Sequence, residues 1–344
     1  MDWRDYVGPV HEAACAIGLA PRETQFFELP PADLNALAAY GLPGMYHHWR
    51  FGRDYFRIRQ SHERGWSQLY EVVFNLDPAQ AFVSSQGSEA AKVFVVAHVM
   101  GHVDLFEQNL FCAEQRTDMD RFLLSAQRRF DRYEELYGEE AVEHTFDVAH
   151  MLRQHVRPGR ARHSHDESTE RRPYDDLFGA SPPATPMEAE RRRRLEREYE
   201  STDIGQDDLL AFMAAQAPLE PWQRDVLMCV REVALYFRPQ MLTKVVHEGY
   251  ASWSHLRILR ELELPFEWAI EHAKMHAGVA RPHEQGAPNP YWLGLLLLEH
   301  AEHKGRNVRE TVGVDLPPGA ARPDGRQTDL LRLQHQVVDR PQLV

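Results

Sequence analysis

Cysteine is scarce in this chain of 344 residues: only Cys15, Cys112 and Cys229 occur. They are far apart and form none of the spacings of zinc or redox cysteine motifs, which leaves free thiols suited to a reducing compartment. Long apolar runs are also missing. YWLGLLLL at 291–298 falls well short of the ~20 residues that span a bilayer. The opening MDWRDYVGPVHEAACAIGLA includes Asp2, Asp5 and Glu12 and lacks the basic region and apolar core of a secretory signal. A cytoplasmic location with no membrane span is the expectation. Nor is there an excess of positive charge: 52 Asp and Glu face 39 Lys and Arg, for a net charge of −13, which disfavours nucleic acid as a partner. The one basic run, RRRRLEREYE at 191–200, is interleaved with Glu196, Glu198 and Glu200 and reads as a solvated helix face. No repeat of fixed period is visible.

What is present is an ordinary folded composition, with 43% hydrophobic and 26% charged residues. The length suits one large domain or two smaller ones. The pattern predicts a mainly helical α+β fold with a small sheet near residues 25–87. QFFELP, LYEVVFN and AFVSSQG have strand composition, and LDP turns the last two into a hairpin. Ser88 and Glu89 then open a helix that runs to about residue 112. Between these strands, MYHHWRFGRDYF reads as a packed loop of stacked rings and guanidinium groups, or as a portion of a substrate cleft. Further helices are expected over 119–154, 188–217, 219–237, with Pro221 in its first turn, and 240–262. Four segments follow. Residues 1–155 form an N-terminal region with the sheet and the histidine helix, and residues 156–186 form a linker or mobile loop. Residues 187–305 form a helical region that completes the same core, and residues 306–344 form a divergent tail. The linker is rich in Pro, Arg, Ser and His, and the tail contains Pro317, Pro318, Pro323 and Pro341 with no apolar period. His163 and His165 of the linker are poor metal candidates without ordered neighbours.

The helix AKVFVVAHVMGHVDLFEQN, residues 91–109, places His98 and His102 in an otherwise apolar run. Four residues apart on a helix, they project only about 40° apart, roughly 6 Å along the axis. An unsatisfied buried imidazole costs on the order of 1–3 kcal/mol, so something must partner both rings. Carbonyls or carboxylates would serve. So would a transition metal, because this spacing is that of the zinc peptidase pattern His-Glu-x-x-His. A second helical stretch, VVHEGYASWSHLRIL at 245–259, carries Glu248 and His255 on one face, with small Gly249 and Ala251 beside them. In many zinc peptidases the third ligand is a Glu from a later helix. His98, His102 and Glu248 are therefore the expected metal ligands, with zinc as the expected ion and an open position for water. His255, about 10 Å from Glu248 by helical rise, is expected to support a ligand or to act on substrate, assisting proton transfer. The peptidase motif has its general base directly after the first His, and here that residue is Val99. His255, His247 or a carboxylate from elsewhere must replace it. Asp104 projects away from the histidine face and is expected to orient another group or cap a turn.

GLPGMYHHWRFGRDY, LYEVVFNLDPAQAF, AHVMGHVDLFEQN, LEPWQRDVLMCVREVALYFRPQ, HEGYASWSH and NPYWLGLLLLE occur in this order. Together they resemble the stage V sporulation protein R (SpoVR) family over roughly residues 1–300. Motif positions include His48, Trp49, Asn75, Asp77, Pro78, His98, His102, Asp104, Asn109, Glu248, Gly249 and His255. The resemblance implies a cytoplasmic protein linked in some hosts to sporulation and the spore cortex. It also implies association with a PrkA-type serine kinase and a von Willebrand A-like protein. It supplies no reaction. Family members continue past NPYWLG into a further C-terminal region, whereas residues 306–344 of this chain are expected to depart from that pattern. Two functional classes follow: a zincin-like metalloprotein hydrolysing a peptide or amide bond in cell-wall metabolism, or a non-enzymatic regulator or assembly protein whose histidines and Glu248 form a buried network.

Overall fold

The structure is a computed structural model that describes residues 2–64, 69–156, 208–282 and 288–312, with 305–312 as backbone only. The expected linker beyond Val156, with His163 and His165, the basic run 191–200, and the tail beyond residue 312 lie outside the described residues. The strands are β1 (Thr24–Leu29), β2 (Glu71–Phe74) and β3 (Ala79–Ser84). The α-helices are α1 (Val7–Ala16), α2 (Pro31–Tyr40), α3 (Trp49–Glu63), α4 (Glu89–Gln108), α5 (Met119–Tyr137), α6 (Glu139–Leu152), α7 (Leu209–Gln216), α8 (Pro221–Leu242), α9 (Lys244–Arg260), α10 (Phe266–Val279) and α11 (Pro290–Val312). The described protein is thus mainly helical with one small mixed sheet, as its composition pattern predicts. No helix among the described residues is long and apolar enough to cross a membrane.

Contacts divide the chain into two units, Met1–Arg132 with Tyr236–Val344, and Tyr133–Leu235. In the second unit, Tyr137 stacks on Trp222 at 4.9 Å and the Tyr133 hydroxyl donates to Asp225 at 3.0 Å. The buried Asp208 carboxyl accepts from Arg231 at 2.8 Å and caps α7 through the Ala211 amide.

The first unit contains the sheet, in the order β1-β3-β2. β3 is central, parallel to β1 and antiparallel to β2, with Val73 opposite Ala81. Its inward residues Ala79, Ala81 and Val83 pack against Val95, Val99 and Val103 of α4, a stripe at i, i+4, i+8. The remaining flank of α4 presents Val93, Val96, Ala97 and Met100 to α1, through Val10, Ala13 and Ala14, and to α9, through Val246, Tyr250 and Ile258. Every α4 residue from Lys92 to Phe106 is buried. A helix enclosed on all sides has no polar face, and its sequence shows none.

Two expectations require correction. The segment expected as an aromatic loop forms α3, with the His48 ring accepting from the Arg50 amide at its start. Its Phe51 stacks on Tyr40 and meets Tyr46 edge-on. The dense rings and cations hid a helical period that buries only one of the described α3 residues, Phe51. The histidine helix begins after Ser88, whose hydroxyl accepts from the Ala91 amide at 3.0 Å, but ends at Gln108. Asn109 stops it by leaving the helical region and accepting from the Phe111 amide.

α9 lies between α4 and α11, and small residues set both spacings. A Cβ on Gly101 of α4 would stand 2.8 Å from the Ala251 Cα and 2.9 Å from the Ser254 Cβ. A Cβ on Gly249 would overlap the Gly294 backbone of α11, where nothing flexible can yield. Gly249→Ala should therefore cost roughly 3 kcal/mol or more, read as a lowered urea midpoint or failure to fold. Gly52→Ala, on an open flank of α3 where a Cβ meets nothing within 4 Å, should gain ~0.5–1 kcal/mol. Equal midpoints for the two variants would refute this account of the helix crossing.

Candidate metal centre

Helices α4 and α9 run antiparallel, so residues pair in opposite order along them. Asn109 donates to Thr243 Oγ1 at 3.0 Å, Gly101 meets Ala251, and at the far end His98 meets His255. This register brings the two histidine-bearing segments face to face. Glu248 Oε2 stands 3.9 Å from His98 Nε2 and 3.7 Å from His102 Nε2. Glu71 of β2 approaches from the sheet, with Oε1 3.9 Å from His98 Nε2. Glu71, His98 and His102 each offer a ligand atom within 4.8 Å of the others. One ion at ~2.0–2.2 Å from each donor needs donors at about these separations. Two further facts favour a ligand. His98 Nε2 and Glu248 Oε2 are buried and have no hydrogen-bond partner, although each points toward the other.

Behind the histidines stand two more. His98 Nδ1 lies 3.0 Å from His255 Nδ1, and His102 Nδ1 lies 3.4 Å from His247 Nδ1. Burial, with the neighbouring His98, pushes His102 down to about 3, and burial brings His247 to about 4. Burial also carries His255 well below its ordinary range, helped by the surrounding imidazoles. These rings are neutral at ordinary pH, the form that binds metal. Burial acts to raise Glu248, but contacts with His98, His102 and Tyr291 outweigh it and hold the carboxyl below its usual range. Glu71 is shifted the other way, raised mainly by burial and partly by Glu248, with His98 opposing. Two carboxylates beside one site thus differ in proton affinity. Tyr291 of α11 stacks on His98 at 5.9 Å, and burial next to the Glu248 and Glu71 charges raises its phenol.

The structure brings together all three expected ligands, His98, His102 and Glu248, and places His255 against His98 on the side away from Glu248. There it can support the His98 ring. Asp104 orients other groups, as expected: fully buried, it accepts from the Ala20 amide at 2.6 Å and from the Tyr250 hydroxyl at 2.6 Å. Two residues of the site were not among those singled out from the sequence, Glu71 and Tyr291. A signal for Glu71 did exist, since a carboxylate two residues from core-facing Val73 shares its face in the otherwise apolar strand EVVF. Tyr291 carries no such signal, because its role depends on how α11 docks on α9.

Tyr250 lies two residues from Glu248, and its bond to Asp104 fixes the rotation of α9 against α4. Tyr250→Phe should lower stability by about 1–3 kcal/mol, since it leaves a buried carboxyl short of a donor. A thermal midpoint equal to wild type would rule this out.

The comparisons with known proteins bear on this centre. The family described as SpoVR like protein matches residues 3–318. The chain is 29% identical over 293 residues to the uncharacterized protein YcgB of Escherichia coli (strain K12), which covers 77% of this chain and 56% of YcgB. It therefore spans little more than half the length of that relative. No solved structure matches it. The family match extends over His98, His102, Glu71 and Glu248 together, and the chain belongs to the SpoVR-like family.

Proposed function

We propose that the chain is a zincin-like, metal-dependent hydrolase that holds zinc through His98, His102 and Glu248, and that its substrate is a peptide or amide bond of cell-wall or spore-cortex material. One observation carries the reading: the two partnerless atoms, His98 Nε2 and Glu248 Oε2, face each other across 3.9 Å, with His102 Nε2 3.7 Å from the same oxygen. Glu248 reaches both imidazoles and completes the ligand set. Two imidazoles with one carboxylate suit zinc in hydrolytic sites.

When bound, zinc supplies Lewis acidity, polarising a carbonyl and making water acidic enough to attack near neutral pH. The chain's own groups do the rest. Val99 faces the sheet and cannot act as the base. Glu71, beside His98 on the sheet side, replaces it and takes the proton from the attacking water. Tyr291 steadies the Glu248 carboxyl and offers a hydroxyl to the charge that develops on the substrate oxygen. His255 acts through His98 as a positioning residue.

The second reading is a non-enzymatic regulator or assembly protein acting with a PrkA-type serine kinase and a von Willebrand A-like partner. The imidazole pairs favour it, because they can fix a core as a hydrogen-bonded network without any ion.

Metal analysis separates the two. Purified wild type should carry stoichiometric zinc, and folded His98→Ala and Glu248→Ala variants should carry none. At free zinc 100 times the dissociation constant the stabilisation is ~2.7 kcal/mol, which both variants should lose. Wild type that takes up no zinc and has the same melting temperature in chelator leaves only the regulator. Glu71→Gln separates base from ligand: it should keep the zinc while amide cleavage falls about 10²–10⁴-fold. Loss of zinc from that variant would move Glu71 into the ligand set.

A further inference from the structure

The imidazole chain behind His98 continues beyond its first link. His255 Nδ1 faces His98 Nδ1 at 3.0 Å, and His255 Nε2 faces His276 Nδ1 of α10, again at 3.0 Å. His255 is fully buried and His276 half-buried. Phe94 packs on the His255 ring at a centroid distance of 4.3 Å and holds its plane. His272, the remaining imidazole nearby, turns away and bonds the Ala90 carbonyl at 2.7 Å. No other polar group bonds either nitrogen of His255 among the described residues.

We propose that His255 and His276 are positioning residues that fix which nitrogen of His98 faces the metal centre. The inference rests on the metal reading above and deepens it. Of two imidazole nitrogens bonded to each other at 3.0 Å, one must donate and the other accept. A ligand Nε2 has its lone pair free, so His98 carries its proton on Nδ1 and donates to His255 Nδ1. His255 is then protonated on Nε2 and donates to His276 Nδ1, which leaves the His276 proton on its own Nε2. The hydrogen bonds run one way, from the centre toward the half-buried end. Reversing any ring reverses the chain and puts a proton on His98 Nε2, where the ion must bind. The His102 arm lacks this continuation. Its partner His247 is 3.4 Å away, and His247 Nε2 is buried without a partner. Outer groups that orient ligand histidines commonly matter 10–100-fold in metal affinity.

The test uses the full chain. Zinc affinity is measured by chelator competition, and cobalt substitution reports coordination geometry through its visible spectrum. His255→Phe should fold and bind zinc about 10–100-fold more weakly. His255→Asn, whose side-chain oxygen occupies the place of Nδ1, should recover most of the affinity and the wild-type cobalt spectrum. His276→Phe, which touches no ligand, should weaken zinc severalfold. Nitrogen-15 spectra of the metal-free wild type should show His98 protonated on Nδ1. Affinity in His255→Phe within twofold of wild type, no recovery in His255→Asn, or His98 protonated on Nε2 would each overturn the proposal. If His255→Phe does not fold, His276→Phe and the spectra still decide it. Failure of wild type to bind zinc sinks the metal reading instead, and the tautomer spectra then judge the chain of imidazoles separately.

Discussion

The antiparallel approach of α4 and α9, close enough for Gly101 to meet the Ala251 backbone, is the constraint on which the centre depends. At a wider spacing neither His98 nor His102 would reach Glu248, and neither would find its supporting imidazole on α9. The spacing is maintained from several points. Asn109 bonds Thr243 at one end, Tyr250 bonds Asp104 in the middle, and the valine stripe of α4 presses it onto β3. Hydrophobic burial supplies most of the driving force, and the polar contacts select one register among those that burial alone would accept. The same enclosure makes the polar groups costly. The imidazoles and carboxylates of the centre sit where desolvation disfavours charge, so their pairing is a condition of folding as well as of chemistry.

Much of this centre was legible in the sequence. His98 and His102 share a helix face by arithmetic, and Glu248 stands out as a carboxylate in an aromatic helix with small neighbours. The small residues predicted a close approach, and Gly249 and Ala251 both make one. Glu71 was harder to see because strand β2 is only four residues long, too short for its alternation to separate a core-facing carboxylate from an exposed one. The place of His255 could not be read from its distance to Glu248 along α9. That distance says nothing about a partner helix running the other way, and the antiparallel register is what delivers His255 to His98. Helix α3 was hidden for a different reason: its less exposed side, Phe51, Asp54, Tyr55, Ile58, Ser61 and His62, mixes rings with polar groups, so its helical period carries little aliphatic signal.

The absence of a base after the first histidine follows from how α4 is used. In a helix with one flank open to substrate, the residue after His98 could carry a carboxylate toward the ion. Here that position, Val99, belongs to the stripe that anchors the helix to Ala79, Ala81 and Val83. A carboxylate there would be driven into the sheet interface without a partner, at a cost of several kcal/mol. The strand next to that interface can place a carboxylate at its margin without disturbing the packing, and Glu71 occupies that position, only 16% exposed and next to His98. The centre thus draws His98, His102 and Glu248 from two helices and Glu71 from the sheet.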